Sequence, residues 1–243
     1  MGKTEMYFDT LHVLMERARA QAETVRAAAA CVAESIAQGG MLYAFGTGHS
    51  HMFAEELFYR AGGLVDVYPV LEEGLMLHSG AAKSTALERM SGYAHILMES
   101  LPIREGDVMV IASNSGGNAV SVEMAAECRA RGVRVIALTS LAHSRSRTPR
   151  NPLGKRLYEL ADWVLDNGGE PGDACMELGG GRKTSPTSTV VGCALLEALV
   201  AETATCLQKM GKEPRVFASS NTDGGDMVNQ VYCRAYAQKV KAL

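Results

Sequence analysis

Five short apolar runs separated by helix-forming stretches constrain this chain more than any other feature of its sequence. The runs are Met41–Phe45, Leu64–Leu71, Asp107–Ala112, Val133–Thr139 and Trp163–Asp166. Between them lie stretches with helical spacing, near Met52–Ala61, Ala86–Ser100, Ala119–Arg131 and Arg156–Leu160, and a long apolar stretch, Ser188–Met210, follows the fifth run. Near-continuous Val, Ile and Leu marks strands buried on both faces, and strands that alternate with helices make a parallel sheet. Right-handed crossovers then wind helices onto both faces. The predicted fold class is α/β, a three-layer αβα sandwich around a five-stranded parallel, doubly wound sheet.

The N-terminal segment, about Glu5–Gln38, reads as helix with one break. Leu11, Leu14, Met15 and Ala18 recur at helical spacing, the run Ala27–Ala30 favours helix, and Gly39-Gly40 stops it. The expected organisation is a helical arm over 1–40, the sheet domain over 41–212, and a tail over 213–243 with a helix at about Asp226–Lys241. Two segments read as long loops, Ser140–Lys155 and Gly168–Pro186 with its triplet Gly179-Gly180-Gly181. Long loops in a compact domain are usually functional.

With 24 Lys+Arg against 27 Asp+Glu the net charge is −3, which supplies no basic footprint for nucleic acid and no attraction to an anionic membrane. Neither partner is expected. It also finds no signal peptide and no stretch approaching the roughly 20 apolar residues of a membrane span. The six cysteines are scattered without a C-x-x-C pair, as small buried thiols would be. A cytoplasmic protein is expected. The N-terminal arm and the apolar last helix carry more apolar surface than one sheet face covers, so a homodimer or homotetramer is expected.

In a doubly wound sheet the ligand sits beyond the carboxyl ends of the strands. There the chain places Gly46-Thr47-Gly48-His49-Ser50-His51 after the first strand and Ser113-Asn114-Ser115-Gly116-Gly117-Asn118 after the third. Thr139-Ser140 follows the fourth, and Ser185-Pro186-Thr187-Ser188-Thr189 precedes the long helix. Hydroxyls, glycines and helix N-terminal N–H groups on one rim suit a phosphate ester. Any one loop is also an ordinary helix cap; four of them on one rim point to a ligand. The first loop lacks the Lys-Ser/Thr ending of a P-loop and the third glycine of a dinucleotide fingerprint, which disfavours both nucleotide chemistries.

The S-N-S-G-G-N turn after a buried strand resembles the phosphate loop of sugar isomerase (SIS) domains, and Gly46–Ser50 resembles their first ligand loop. The stretches GTGHSHMFAEELFYRAGG, KSTALERMSGYA, IASNSGGNAV, ALTSLAHS and SPTSTVVG resemble the UPF0309 group of SIS proteins. The resemblance implies that the partner is a small-molecule sugar phosphate. It matches Ser113, Ser115 and Asn118 to the phosphate-binding positions and Ser50 to a first-loop serine; Asn118 stands where relatives commonly carry Thr or Ser. Gly48 and Asn114, and Thr187 with Ser188 before the last helix, complete the expected binding set.

Isomerisation, deamination or elimination on a sugar phosphate needs a base near a C–H or O–H. Glu55 and Glu56 follow the first loop, about 100° apart on a helix, so one of them faces the ligand; Glu56 is taken ahead of Glu55. The plain alternative is that one packs and the other is solvated. His49 or His51 would polarise a carbonyl. No cofactor is assigned, but His49, His51 and Glu55 are close enough in sequence to raise a divalent metal, as zinc serves in some heptose isomerases of the family. His78, Lys83, Glu88 and Lys183 are further candidates; His78 also reads as a structural histidine and Glu88 as a surface charge. The basic loop Arg145, Arg147, Arg150, Lys155, Arg156 reads as a solvated loop or subunit contact, with a lid over an anion as the alternative. The expected function is a phosphosugar-binding protein, an aldose–ketose isomerase or related lyase or deaminase with a glutamate acid/base. A non-catalytic phosphosugar sensor acting through protein contacts is the alternative.

Overall fold

A computed structural model describes residues 2–243. Helices α1 (Lys3–Arg19) and α2 (Ala22–Ala37) precede β1 (Leu42–Gly46) and a short α3 (Met52–Leu57). Then come β2 (Val67–Val70), α4 (Ala81–Leu87), α5 (Tyr93–Ser100), β3 (Val108–Ala112), α6 (Ala119–Ala130) and β4 (Arg134–Thr139). The chain continues through α7 (Leu141–Arg145), β5 (Trp163–Asp166), the hairpin β6 (Ala174–Gly179) and β7 (Arg182–Pro186), α8 (Ser188–Lys209) and α9 (Gly225–Tyr236).

The main sheet is parallel throughout, in the order β2-β1-β3-β4-β5. Alternate residues of each strand enter two separate cores. Leu42, Ala44, Val108, Val110, Ile136 and Leu138 pack under α1, α2, α3 and α8. Tyr43, Phe45, Met109, Ile111, Val135 and Ala137 pack against α5, α6 and α9. Because strand side chains alternate with period two, both faces must be apolar, and the strands read as continuous hydrophobic runs. The three-layer, five-stranded, doubly wound architecture is as expected.

Five local expectations are corrected. The stretch Ala86–Ser100 is two helices broken over 88–92, where Gly92 takes a positive φ of 84° and its N–H donates to Glu123 Oε2 at 2.7 Å. The helix from Met52 ends at Leu57, with Tyr59 at φ 46°. The segment Gly168–Pro186 holds a hairpin whose turn glycines, Gly180 and Gly181, both have positive φ, as a tight hairpin turn requires. The loop after β4 begins with the helical turn α7, capped by the Ser140 hydroxyl accepting from His143 N–H at 3.0 Å. Finally, α8 spans 22 residues and does have the length and apolar composition of a membrane span. In the fold it is a core helix, with Val191, Leu195, Leu196 and Leu199 at most 2% exposed.

The tail is tied to the sheet edge. Val65 N–H donates to Arg215 O and Phe217 N–H to Gly63 O, an antiparallel pairing next to β2. Buried Asp66 accepts from Arg215 Nη2 and from the Tyr236 hydroxyl, each at 2.6 Å. All six cysteines are free thiols.

Candidate functional site

In the order β2-β1-β3 the direction in which strands are added reverses between β1 and β3, although all strands run parallel. The chain after β1 turns to α3 on one face and the chain after β3 turns to α6 on the other; in a doubly wound sheet the ligand crevice lies at such a switch point. The first-loop residues Gly48–His51 form a 3₁₀ turn on one side of it. Gly46 is required here: a Cβ on it would lie 2.2 Å from the Ser50 carbonyl oxygen.

The crevice is bridged by Glu88, which the break between α4 and α5 brings out of any helix. Its Oε2 accepts from the Thr47 hydroxyl at 2.8 Å and its Oε1 from the Asn118 amide at 3.0 Å. Its backbone carbonyl accepts from Val120 N–H at 3.1 Å in the first turn of α6. One carboxylate thus ties the first loop to the turn after β3.

That turn is held from below. Ser113 Oγ accepts from Gly116 N–H at 3.2 Å, and the Asn114 side chain accepts from Asn167 Nδ2 at 2.9 Å. The Asn114 carbonyl accepts from Thr139 Oγ1 at 3.2 Å. The Ser115 hydroxyl has no protein partner among the described residues. Together with Gly117 and Asn118, Ser115 lines a cavity of about 160 Å³.

Around the first loop, His51 is buried and its Nδ1 bonds the Gly48 carbonyl. With the proton on Nδ1 for that bond, Nε2 faces Glu55 Oε1 at 3.5 Å. The His78 ring lies edge-on 6.1 Å from that of His51. Glu56 instead pairs with Arg60, which lies 3.5 Å from Glu197 on α8. His49 is exposed, Ser50 is partly exposed in the turn, and Lys83 donates to Ser79 Oγ at 2.7 Å. Among the described residues no three His, Cys, Asp or Glu side chains converge as a metal cluster, so His49 does not join His51 and Glu55 as a ligand triad.

At the far end of the rim the N-terminus of α8 is already served. Asp173 Oδ1 accepts from Thr187 N–H at 3.2 Å and Ser188 N–H at 3.0 Å, and its Oδ2 accepts from the Ser188 hydroxyl. Lys183, on β7, pairs with Glu170 at 2.7 Å and Glu177 at 3.3 Å. The expected binding residues Thr187 and Ser188 and the candidate Lys183 are therefore bonded within the protein.

The profile of the SIS-domain family matches residues 6–140, from α1 through β4. A UPF0309 protein of Halalkalibacterium halodurans is 44% identical over 227 residues, 93% of this chain and 94% of that protein. Another UPF0309 protein, of Geobacillus thermodenitrificans, is 42% identical over 222 residues, 91% and 89% of the two chains. The chain belongs to the SIS-domain family, in its UPF0309 group. Among solved structures, a phosphoheptose isomerase from Francisella tularensis superposes with a TM-score of 0.52 at 16% identity, covering 85% of this chain and 97% of that one. The sugar isomerase domain of an RpiR transcription factor from Sphaerobacter thermophilus gives 0.50 at 17% identity, covering 97% and 98%. At such identities both speak for the fold alone.

Two groups in this SIS site stand out only in three dimensions. Arg147, Arg150 and Arg156 line the same cavity as Ser115 and Asn118. Arg150 N–H donates to Gly117 O at 2.7 Å, so the basic loop is hydrogen-bonded directly to the turn after β3. His143, on α7, also lines the cavity, and its Nδ1 accepts from Gly172 N–H at 2.7 Å. Burial first, and then the Arg147 guanidinium, hold His143 below the usual imidazole pKa. The five charges of the loop were visible in sequence; the pairing of the Arg150 backbone with Gly117 was not.

Proposed function

We propose that this chain anchors the phosphate of a sugar phosphate on the Ser113–Asn118 turn and moves a proton on the sugar, as an aldose–ketose isomerase or a related lyase or deaminase. What carries the reading is the bridging of the crevice by Glu88, one hydrogen bond from both the phosphate-type turn and the first ligand loop. A sugar anchored at Ser115 and Asn118 meets that carboxylate first. Glu88 is accordingly the base in this proposal, taking the proton from the carbon beside the carbonyl and returning it to the neighbouring carbon. On the first-loop side the exposed His49 is the group left to polarise the carbonyl oxygen, because His51 Nδ1 is spent on the Gly48 carbonyl. Glu56, engaged with Arg60, supports α3 against α8.

The test is proton exchange in heavy water, followed by NMR, with hexose, amino-sugar, muramic-acid and heptose phosphates. Wild type should exchange the carbon-bound proton of at least one of them. Glu88→Gln should lose about 10²–10⁴-fold in rate, the size of general-base effects, while still binding the sugar. A phosphosugar that binds and never exchanges would leave a sensor and end the enzyme reading.

A further inference from the structure

We propose that Ser144, Arg147 and Arg150 form the second wall of the anion site, opposite the Ser113–Asn118 turn, and make this chain select a phosphate dianion. The inference rests on the phosphosugar reading above and names residues that the turn motif does not contain. Three independent features of the segment after β4 carry it.

The first is attachment. Arg150 N–H and Asn151 Nδ2 both donate to the Gly117 carbonyl, at 2.7 and 3.0 Å, and Leu157 N–H donates to Gly116 O at 2.8 Å. Arg156 fastens the other side, donating from Nε to Ser144 O at 3.0 Å and from Nη2 to Arg147 O at 2.9 Å. The segment is thus a built wall of the cavity, spent on positioning its backbone.

The second is charge. Arg156 commits two of its donors to those carbonyls, and Arg145 lies over the Tyr158 ring at 5.6 Å. Arg147 and Arg150 line the cavity, and among the described residues neither has a carboxylate within ion-pair distance. Three arginines on one cavity, Arg156 included with no ion-pair partner among the described residues, cost mutual repulsion unless an anion joins them, and the forks of Arg147 and Arg150 suit phosphate oxygens.

The third is an orphaned donor. Ser144 is 1% exposed and its Oγ has no hydrogen-bond partner, yet it lines the same cavity. An unpaired buried hydroxyl costs free energy on its own, and an oxyanion in the cavity would supply the acceptor.

The experiment is calorimetric titration at fixed ionic strength with inorganic phosphate and then with the panel of sugar phosphates. The proteins are wild type, R147A/R150A, R147K/R150K, S144A and S115A. Wild type should bind; R147A/R150A should bind at least about tenfold more weakly, the loss expected for charge-assisted hydrogen bonds, with the lysine pair in between. S144A should weaken binding while unfolding no earlier than wild type, because it removes an unsatisfied group. Thermal unfolding of each variant separates lost binding from lost fold. Were R147A/R150A to misfold, the lysine pair and S144A would decide the matter in the same way. Arginine and Ser144 variants that bind as wild type while S115A weakens would overturn the second wall and leave the turn reading standing. A wild type that binds neither phosphate nor any sugar phosphate would overturn both.

Discussion

Gly116 turns the chain at φ 56° inside the Ser113–Asn118 turn, and a methyl group there would come within 3.0 Å of Ser144 Oγ and 3.3 Å of Thr139 Oγ1. The left-handed conformation alone costs an L-residue about 1–2 kcal/mol, and the crowding adds to it. Gly116→Ala should therefore lower unfolding stability by about 1–3 kcal/mol in urea titration and displace the turn from its ligand geometry. A variant as stable as wild type would contradict the turn as described. At His143 the prediction concerns pH. Its folded-state pKa lies below the ordinary 6.5, through burial and then Arg147, so the unfolded chain takes up a proton that the folded one refuses. Its contribution is complete above about pH 6.5 and is lost as pH falls through the folded-state value. His143→Gln should flatten that part of a stability-against-pH curve; an unchanged slope would remove His143 as its source.

At the scale of elements, the N-terminus of α8 depends on a cap supplied from outside the helix. Asp173 holds two of its free N–H groups from a left-handed position, φ 65°. Asp173→Ala should cost about 1–2 kcal/mol, as lost caps do, whereas Asp173→Asn keeps an acceptor and tolerates the backbone. Equal loss in both, measured by chemical denaturation, would mean that charge and not capping matters. The same scale explains what could be read in advance. β1 to β4 were legible because both faces of each are buried almost throughout, so their apolar runs stand out, while β5 at the sheet edge is only partly buried. The break over 88–92 was not, since both flanks favour helix and it is tertiary bonds from Glu88 to Thr47 and Asn118 that fix the exit. The hairpin β6–β7 was hidden for another reason: most of its residues are exposed, so the period-two alternation that betrays a strand is missing. Ser113, Ser115 and Asn118 were legible as a motif. The arginines beside them were legible only as charge, because a backbone pairing across more than 30 residues leaves no local pattern.

For the whole molecule, the two ends of the sheet divide the labour. The carboxyl ends of the strands carry the crevice, and the opposite end carries the buried Asp66 with Arg215 and Tyr236, which locks the tail onto the edge beside β2. Arg215→Ala would leave a 2%-exposed carboxylate with the tyrosine hydroxyl as its remaining side-chain donor. That should cost about 1–3 kcal/mol, the penalty of an under-satisfied buried group, without altering ligand affinity at the far end. Reduced affinity in a folded variant would show that the tail and the crevice are coupled. The central claim, that the crevice between β1 and β3 is a phosphosugar site, is tested most directly by the melting temperature of wild type and Ser115→Ala with sugar phosphates and the matching unphosphorylated sugars. A ligand held only by the folded state at 100 times its Kd adds about 2.7 kcal/mol, a rise of several degrees or less in a chain of this length. That rise is expected for at least one sugar phosphate in wild type, with none for its unphosphorylated partner and a reduced rise in Ser115→Ala. No rise with any sugar phosphate, or one that Ser115→Ala leaves untouched, would contradict it.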